Sequence, residues 1–345
     1  MRPWVEDRFK RDGETPEETL ETMSNQGILV VRNRFTKEGG IYNPNRLNRP
    51  RDITRPDTYR QDIERTKENC SFCDPTNQTP ETIAIGRFSD EYNQSFANLT
   101  KFAKYHEIIA GSHNPFDKTR DIFRSQIAIA QAIARKVVGD NGVRGIDPAA
   151  QFMMVGENQG PDSGASMYHQ HKQVMLSAES MHFPDAERWH EASAGKQGYR
   201  VETGRDFTSD WFLAHEMVGL GFRVPDVDGD VLVAASMTPK KDYGVTVIGP
   251  RFKDPLHLSQ RFIDTCWGVE EFMMMEQGVE QFNTALYLPP LSRTDAYWND
   301  FRPMFVFTRR TKSDMGIMEG AGTAVLSVDP KSFAGDLFSH LQKAA

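Results

Sequence analysis

The stretch Gly164-Ala165-Ser166-Met167-Tyr168-His169-Gln170-His171-Lys172-Gln173 decides how the rest of the chain is read. Before it stand an apolar run, Phe152-Met153-Met154-Val155, which reads as a buried strand, and a turn-rich loop from Gly156 to Gly164. A second strand is predicted from Tyr168 to Leu176. Side chains at i and i+2 of a strand share a face, so His169, His171 and Gln173 are expected side by side. Three hydrogen-bonding residues on one face, flanked by Val174, Met175 and Leu176, do not suit a core strand, where every buried polar group needs a partner. The plain alternative is a solvent-exposed face. Gly160, Gly164, Ala165 and Ser166 are small enough to let a ligand approach the backbone, although a purely structural loop has the same composition. A neutral histidine with hydroxyl and amide donors around it suits nucleophilic attack on phosphorus. The donors would stabilise charge on the non-bridging oxygens.

Working outward, Cys70-Ser71-Phe72-Cys73 and His113 precede this stretch. Two cysteines at this spacing can bind one zinc ion as thiolates, and imidazoles can complete a tetrahedral shell. The alternatives are a redox dithiol, which would normally sit at a strand-to-helix turn absent here, or two unrelated cysteines. Further upstream lies Asn43-Pro44-Asn45-Arg46-Leu47-Asn48-Arg49-Pro50. Arg46 and Arg49, three apart and held by prolines, can clamp a phosphate with forked hydrogen bonds, or form a basic surface turn. Residues 41–80 otherwise read as extended chain and turns.

The remaining pattern is strand and helix. Short strands are expected at Ile83–Ile85 and His106–Ala110, then a helix over Thr119–Val138 with apolar residues at three-to-four spacing, closed by Asn141-Gly142. Residues 179–210 hold no period and mark a boundary. Beyond them the order repeats: strands at Val231–Ser236 and Val245–Ile248, a long helix from Leu256 to about Gly278, then strands at Phe282–Leu288, Met304–Thr308 and Thr323–Val328. A last helix is capped by Asp329-Pro330. Hairpins beside one long helix, twice over, predict an α+β fold of two halves with antiparallel sheets. Met273-Met274-Met275 and Cys266 read as helix packing, and His106 as a supporting residue at most.

The 345 residues contain 38% hydrophobic and 26% charged side chains, enough apolar material for a sizeable core. The formal net charge of −7 disfavours a general nucleic-acid binder. No run reaches the ~18 apolar residues of a membrane span. The charged N-terminus carries no secretory signal, and three cysteines make no disulfide framework, so a reducing, cytoplasmic setting is expected.

Together these segments resemble galactose-1-phosphate uridylyltransferase and its relatives in the histidine-triad (HIT) superfamily, particularly the ADP-glucose phosphorylase and diadenosine tetraphosphate phosphorylase branch. Residues 164–173 are similar to the family's Gly-Ala-Ser…His-x-His-x-Gln signature. Phe96-Ala97-Asn98-Leu99, Gly156-Glu157-Asn158, the cysteine pair and the arginine segment match other family motifs in order. The resemblance implies two HIT-like halves, at 41–200 and 201–345, behind an N-terminal extension at 1–40. It implies a nucleotidyltransferase in which His171 is the nucleophile and Gln173 a donor to the phosphoryl group; the alternatives are a phosphorylase or hydrolase acting on dinucleoside polyphosphates, or a zinc-stabilised nucleotide-binding protein without catalysis. Ser166, Gly164 and Asn158 would contact phosphates or shape the loop. Asn98 would hold the nucleotide, and Arg46 and Arg49 a phosphate of the second substrate. Cys70, Cys73, His113 and His169 would bind a structural zinc ion. The substrates implied are a nucleotide and phosphorylated small molecules, and a homodimer is common among relatives. Leu99 stands where the uridylyltransferases have Asp, which leans toward the ADP-type relatives. Trp298-Asn299-Asp300-Phe301-Arg302-Pro303 lacks the His-x-His of their second metal site.

Overall fold

The computed structural model describes residues 15, 17–19, 21, 27–43, 58–101, 103–139, 152–177, 184–251, 254–291, 301–311 and 323–344. Strands β1 (Leu29–Arg32) and β2 (Gly39–Tyr42) form a hairpin, and helix α1 (Tyr59–Thr66) leads into the turns that carry Cys70 and Cys73. There follow β3 (Gln94–Ala97), β4 (Tyr105–Ala110), α2 (Arg120–Val138), β5 (Phe152–Gln159) and β6 (His171–Ser177). Helices α3 (Pro184–Ala194) and α4 (Phe207–Met217) lead to β7 (Gly221–Val224), β8 (Val231–Ala235) and β9 (Val245–Ile248). The described chain closes with α5 (Gln260–Met275), β10 (Phe282–Tyr287), β11 (Met304–Arg309), β12 (Ala324–Leu326) and α6 (Pro330–Ala344). No helix among the described residues is long and apolar enough to cross a membrane.

Nine strands form one sheet in the order β3-β4-β6-β5-β10-β11-β9-β8-β7, every pair antiparallel. The fold is therefore α+β with a large antiparallel sheet, as expected. The strands from residues 94–177 fill one end and those from 221–309 the other. They join edge to edge where β5 pairs with β10, so the two sequence blocks share one sheet. Strand β12 leaves it and lies parallel to β2, making a separate three-stranded sheet with β1.

Directly paired residues of an antiparallel sheet point to the same side. The strand registers thus sort the sheet into two faces. On one, Ile109, Val155, Val174, Val233, Val247 and Phe305 pack with Phe123 of α2, Trp267 and Phe272 of α5 and Leu337 of α6 in the main core. Helix α2 fits this role because its buried residues, from Ile122 to Ala134, recur at helical spacing. The Thr119 side chain caps its first turn at Ile122 N–H, and Gly139, at φ 86°, ends it. The terminating pair expected at Asn141-Gly142 lies outside the described residues. The opposite face divides. Toward the C-terminal strands, Leu232, Ala234, Ile248 and Met304 are covered by Trp189, Trp211 and Phe212 of α3 and α4. Toward the N-terminal strands the same face carries His171 and Gln173.

Several expectations need correction. Ile83–Ile85 is a turn, not a strand: the Thr82 carbonyl accepts from Ile85 N–H at 2.9 Å and Gly86 N–H at 2.8 Å, and Gly86 takes φ 78°. Residues 59–66, read as irregular chain, are helical because Tyr59 and Ile63 bury one turn apart. The boundary region contains α3 and the start of α4, whose aromatic residues stack on one another rather than recurring with a clean period; Trp189 and Trp211 are 4.9 Å apart between ring centroids. The helix expected from Leu256 to about Gly278 spans Gln260–Met275, with Ser259 as its cap.

Candidate active site and metal centre

Strand β6 begins at His171, not at Tyr168. The chain just before it turns with the loop after β4: Gln170 N–H donates to the Ser112 carbonyl at 3.1 Å, and Gly111 N–H to the Gln170 carbonyl at 3.0 Å. Only His171 and Gln173 therefore share a strand face. His169 turns toward the cysteines instead.

Cys70, Cys73, His113 and His169 come together, with one ligand atom from each all within 4.8 Å of one another. Cys70 Sγ lies 3.4 Å from His169 Nδ1, and Cys73 Sγ lies 3.3 Å from His113 Nδ1 and 3.6 Å from His169 Nδ1. A tetrahedral zinc ion with ordinary thiolate and imidazole bonds sets sulfur–nitrogen edges of about 3.6 Å. The second ring nitrogens are tied down as a metal site requires. His113 Nε2–H donates to the Ile63 carbonyl of α1 at 2.7 Å, and His169 Nε2–H to the Gly111 carbonyl at 2.8 Å. Both Nδ1 lone pairs thus face the cysteines. Burial holds His169 down to about 4, so it is neutral. Burial and the neighbouring Cys70 push the Cys73 thiol up to about 11, because two sulfurs this close resist ionising without a cation between them. The four residues can hold a metal ion with no side chain left over for an open position.

His171 is buried, 5% exposed, and burial holds its imidazole below the ordinary range and hence neutral. Its Nδ1–H donates to the His169 carbonyl at 2.8 Å, leaving Nε2 as the nitrogen with a free lone pair. The Phe72 ring, between the two cysteines, packs edge-on against His171 at 5.3 Å and His169 at 5.8 Å, so the cysteine turn braces both rings. Gln173 Oε1 lies 2.9 Å from His106 Nε2, and Asn98 Nδ2 lies 3.1 Å from the same nitrogen. Asn98 Oδ1 is occupied by Thr100 N–H at 2.9 Å. His106, fully buried, thus sits between two residues that the sequence named separately, and its Nε2–H can donate to Gln173 Oε1.

Strand alternation sends Lys172 to the opposite face. There it meets Glu157 of β5, Glu270 of α5 and Lys118, all four nearly inaccessible. Glu157 lies 2.6 Å from Lys118 Nζ and 2.5 Å from Lys172 Nζ; Lys172 is 3.3 Å from Glu270, and Lys118 also bonds Glu270. Burial raises the Glu157 pKa, but the two ammonium groups outweigh it and bring it to about 2. The two carboxylates likewise outweigh burial and raise Lys172. Two cations and two anions balance beneath the His171–Gln173 pair. A lysine alternating with His171 and Gln173 in an apolar strand was the available signal for this network.

The loop before the motif is held by Gln281, just before β10, and by Asn283 within it. Asp162 N–H donates to Gln281 Oε1 at 2.8 Å while Gln281 Nε2 donates to Asp162 at 2.9 Å. Gly160 is needed here: its φ is +83°, and a Cβ would lie 2.6 Å from the Gln281 side chain. Asn283 Nδ2 donates to Asn158 Oδ1 at 2.6 Å and to the Ser163 carbonyl at 2.9 Å. Gly164, at φ +86°, ends the turn. Ser166 is exposed at a cleft of about 500 Å³ shared with Arg65, Asn69, Tyr168, Cys70 and His169, which His171 does not line. Arg46 and Arg49 lie outside the described residues. Nothing in the sequence pattern pointed to Gln281 or Asn283.

Solved structures share this architecture. An ADP-glucose phosphorylase from Arabidopsis thaliana with bound ADP-glucose matches with a TM-score of 0.65 at 17% identity, over 90% of this chain and 99% of that one. A GalT-like protein from Arabidopsis thaliana matches with a TM-score of 0.61 at 16% identity, over 91% and 99%. A uridylyltransferase matches with a TM-score of 0.55 at 14% identity, over 92% and 99%. No protein-family model and no curated protein matches the chain. The chain therefore has the fold of ADP-glucose phosphorylase and uridylyltransferase, the fold that the His-x-His-x-Gln resemblance implied.

Proposed function

We propose that the protein is a nucleotidyltransferase that works through a nucleotidyl-histidine on His171. The observation that carries this reading is the state of that residue: a buried, neutral imidazole whose Nδ1–H is engaged by the His169 carbonyl, with Nε2 free. Nε2 attacks the α-phosphorus of a nucleoside diphosphate derivative. The phosphorus–nitrogen bond forms as the bond to the bridging oxygen breaks, and the phosphorylated fragment leaves with its electron pair. An oxygen of phosphate or of a sugar phosphate then attacks the same phosphorus and returns His171 to its starting form. The amides of Gln173 and Asn158 stabilise the non-bridging oxygens. The Gly164–Ser166 loop approaches the phosphates, Asn98 holds the nucleotide, and Arg46 and Arg49 bind the second substrate's phosphate.

The metal is zinc in a closed Cys₂His₂ site. It ties the cysteine turn, and Phe72 with it, to the segment that orients His171. In domain terms, residues 41–200 form the catalytic half, 201–345 the second, and 1–40 an extension. That division is supported by the two runs of strands, each filling one end of the sheet. The donor is a nucleoside diphosphate sugar, the class that the ADP-glucose phosphorylase structure of this fold contains.

Initial-rate kinetics test the mechanism. Plots against one substrate at several levels of the other should run parallel, and converging lines would overturn the covalent route. Metal analysis should find one zinc per chain, absent from the Cys70→Ser, Cys73→Ser double variant. Full metal content in that variant would overturn the ligand assignment.

A further inference from the structure

The hydrogen bonds that cross from β10 to β5 have a direction, and that direction is set by a residue far from the motif. Arg310, just after β11, donates from Nε to Asn283 Oδ1. A guanidinium has donors only and no acceptor. Asn283 must therefore present its oxygen to Arg310, which turns its amide nitrogen the other way. Both hydrogens of that nitrogen are used, one on Asn158 Oδ1 and one on the Ser163 carbonyl. Asn158 in turn must present its oxygen to Asn283. Its own Nδ2 has no partner among the described residues.

Register places that nitrogen. Glu157 pairs with Lys172, so the next residues along the two antiparallel strands, Asn158 and His171, lie beside one another. Asn158 pairs with Asn283 on the other side, and all three side chains belong to the same sheet face. We infer that Arg310 and Asn283 are positioning residues: they fix the carboxamide of Asn158 so that its NH₂, and not its oxygen, faces a phosphoryl group bound at His171. A free asparagine rotates its amide readily, and half of its orientations would aim a lone pair at an anion. The relay removes those orientations before substrate arrives, which is electrostatic preorganisation supplied from the C-terminal half. It also pins the Ser163 carbonyl and keeps that acceptor away from the phosphate.

This inference rests on the nucleotidyl-histidine reading. The test is the rate of adduct formation, followed by intact mass in rapid-quench samples with ADP-glucose. Asn283→Asp keeps the size and the Arg310 contact but can no longer donate. The Asn158 amide then turns its nitrogen toward the new carboxylate and its oxygen toward the phosphoryl group. The maximal rate should fall about 100-fold, the scale of losing one oxyanion donor, with little change in the half-saturating ADP-glucose concentration. Arg310→Met should fall in the same direction by less, and Arg310→Lys, which keeps the donor charge, should recover part of it. In an Asn158→Ala background Asn283→Asp should have almost no further effect, because it acts through Asn158. If the wild type forms adduct and Asn283→Asp forms it equally fast, or if the Asn283→Asp and Asn158→Ala effects multiply, the relay is wrong and the covalent reading stands. A wild type that forms no adduct with ADP-glucose or any other nucleoside diphosphate sugar or dinucleoside polyphosphate overturns both.

Discussion

The two ends of the nine-stranded sheet present the same face to different company. Around β8, β9 and β11 that face carries Leu232, Ala234, Ile248 and Met304, and Trp189, Trp211 and Phe212 close over it. Around β6 and β5 it carries His171, Gln173 and Asn158, each with one atom bonded to protein in a way that leaves a reactive or donor atom over. Backbone geometry is alike at both ends. The contrast teaches that the fold supplies a platform and the side-chain rows decide what it does. Likeness of fold alone thus says little about chemistry, whereas the bonded state of His171 says a good deal. The C-terminal strands also contribute: Gln281, just before β10, and Asn283 within it hold the loop of the polar end.

Substitutions at matched positions can break this contrast. The largest expected effect is His171→Ala, which should lower turnover by about 1,000-fold or more. Trp211→Ala, at the other end, should cost ~3–5 kcal/mol of stability and leave the adduct yield of the folded fraction unchanged. A loss of adduct yield in folded Trp211→Ala would show that the ends are not separable. Next comes Lys172→Met, which leaves Glu157 and Glu270 with Lys118 alone. Removing one partner from a buried ionic network costs about 3–5 kcal/mol, to be read from denaturant unfolding; a change under about 1 kcal/mol would mean that the network relaxes or admits water.

The same network predicts an acid response. The folded pKa of Glu157, about 2, lies below the unfolded carboxylate value of about 4.3. A depressed carboxylate stabilises the fold fully above the unfolded value and progressively loses that contribution as pH falls toward the folded one. Stability should therefore drop between about pH 4.3 and pH 2, with a shallower slope in Glu157→Gln. Equal slopes would remove Glu157 from the account. The smallest effect is expected for Met175→Leu, where the polar end meets the apolar cluster. Volume-conserving swaps of this kind cost less than about 1.5 kcal/mol, and an unchanged adduct rate would place the edge of the site between Gln173 and Met175.

What the sequence made legible was local. Cys70 and Cys73, and His169 through Gln173, each form a short pattern whose spacing implies geometry, and Cys70, Cys73, His113 and His169 come together as expected. Helix α2 was legible because its apolar residues recur every three to four positions. The strand start was misplaced by three residues because alternation cannot reveal that Gln170 bonds to the loop at Ser112. Asn283 lies 125 residues from its partner Asn158, and a single asparagine in a strand carries no period, so no local signal could pair them. Helix α4 was hidden for a related reason: its Trp211 and Phe212 pack on other aromatic residues, not on a periodic stripe.

The most direct test of the central claim is intact mass after brief incubation with a panel of nucleoside diphosphate sugars and dinucleoside polyphosphates, wild type beside His171→Ala. A nucleoside-monophosphate-sized adduct is expected on the wild type, absent from His171→Ala, its mass naming the nucleotide. An adduct of equal yield on His171→Ala, or none on a metal-loaded wild type with any donor, would contradict it.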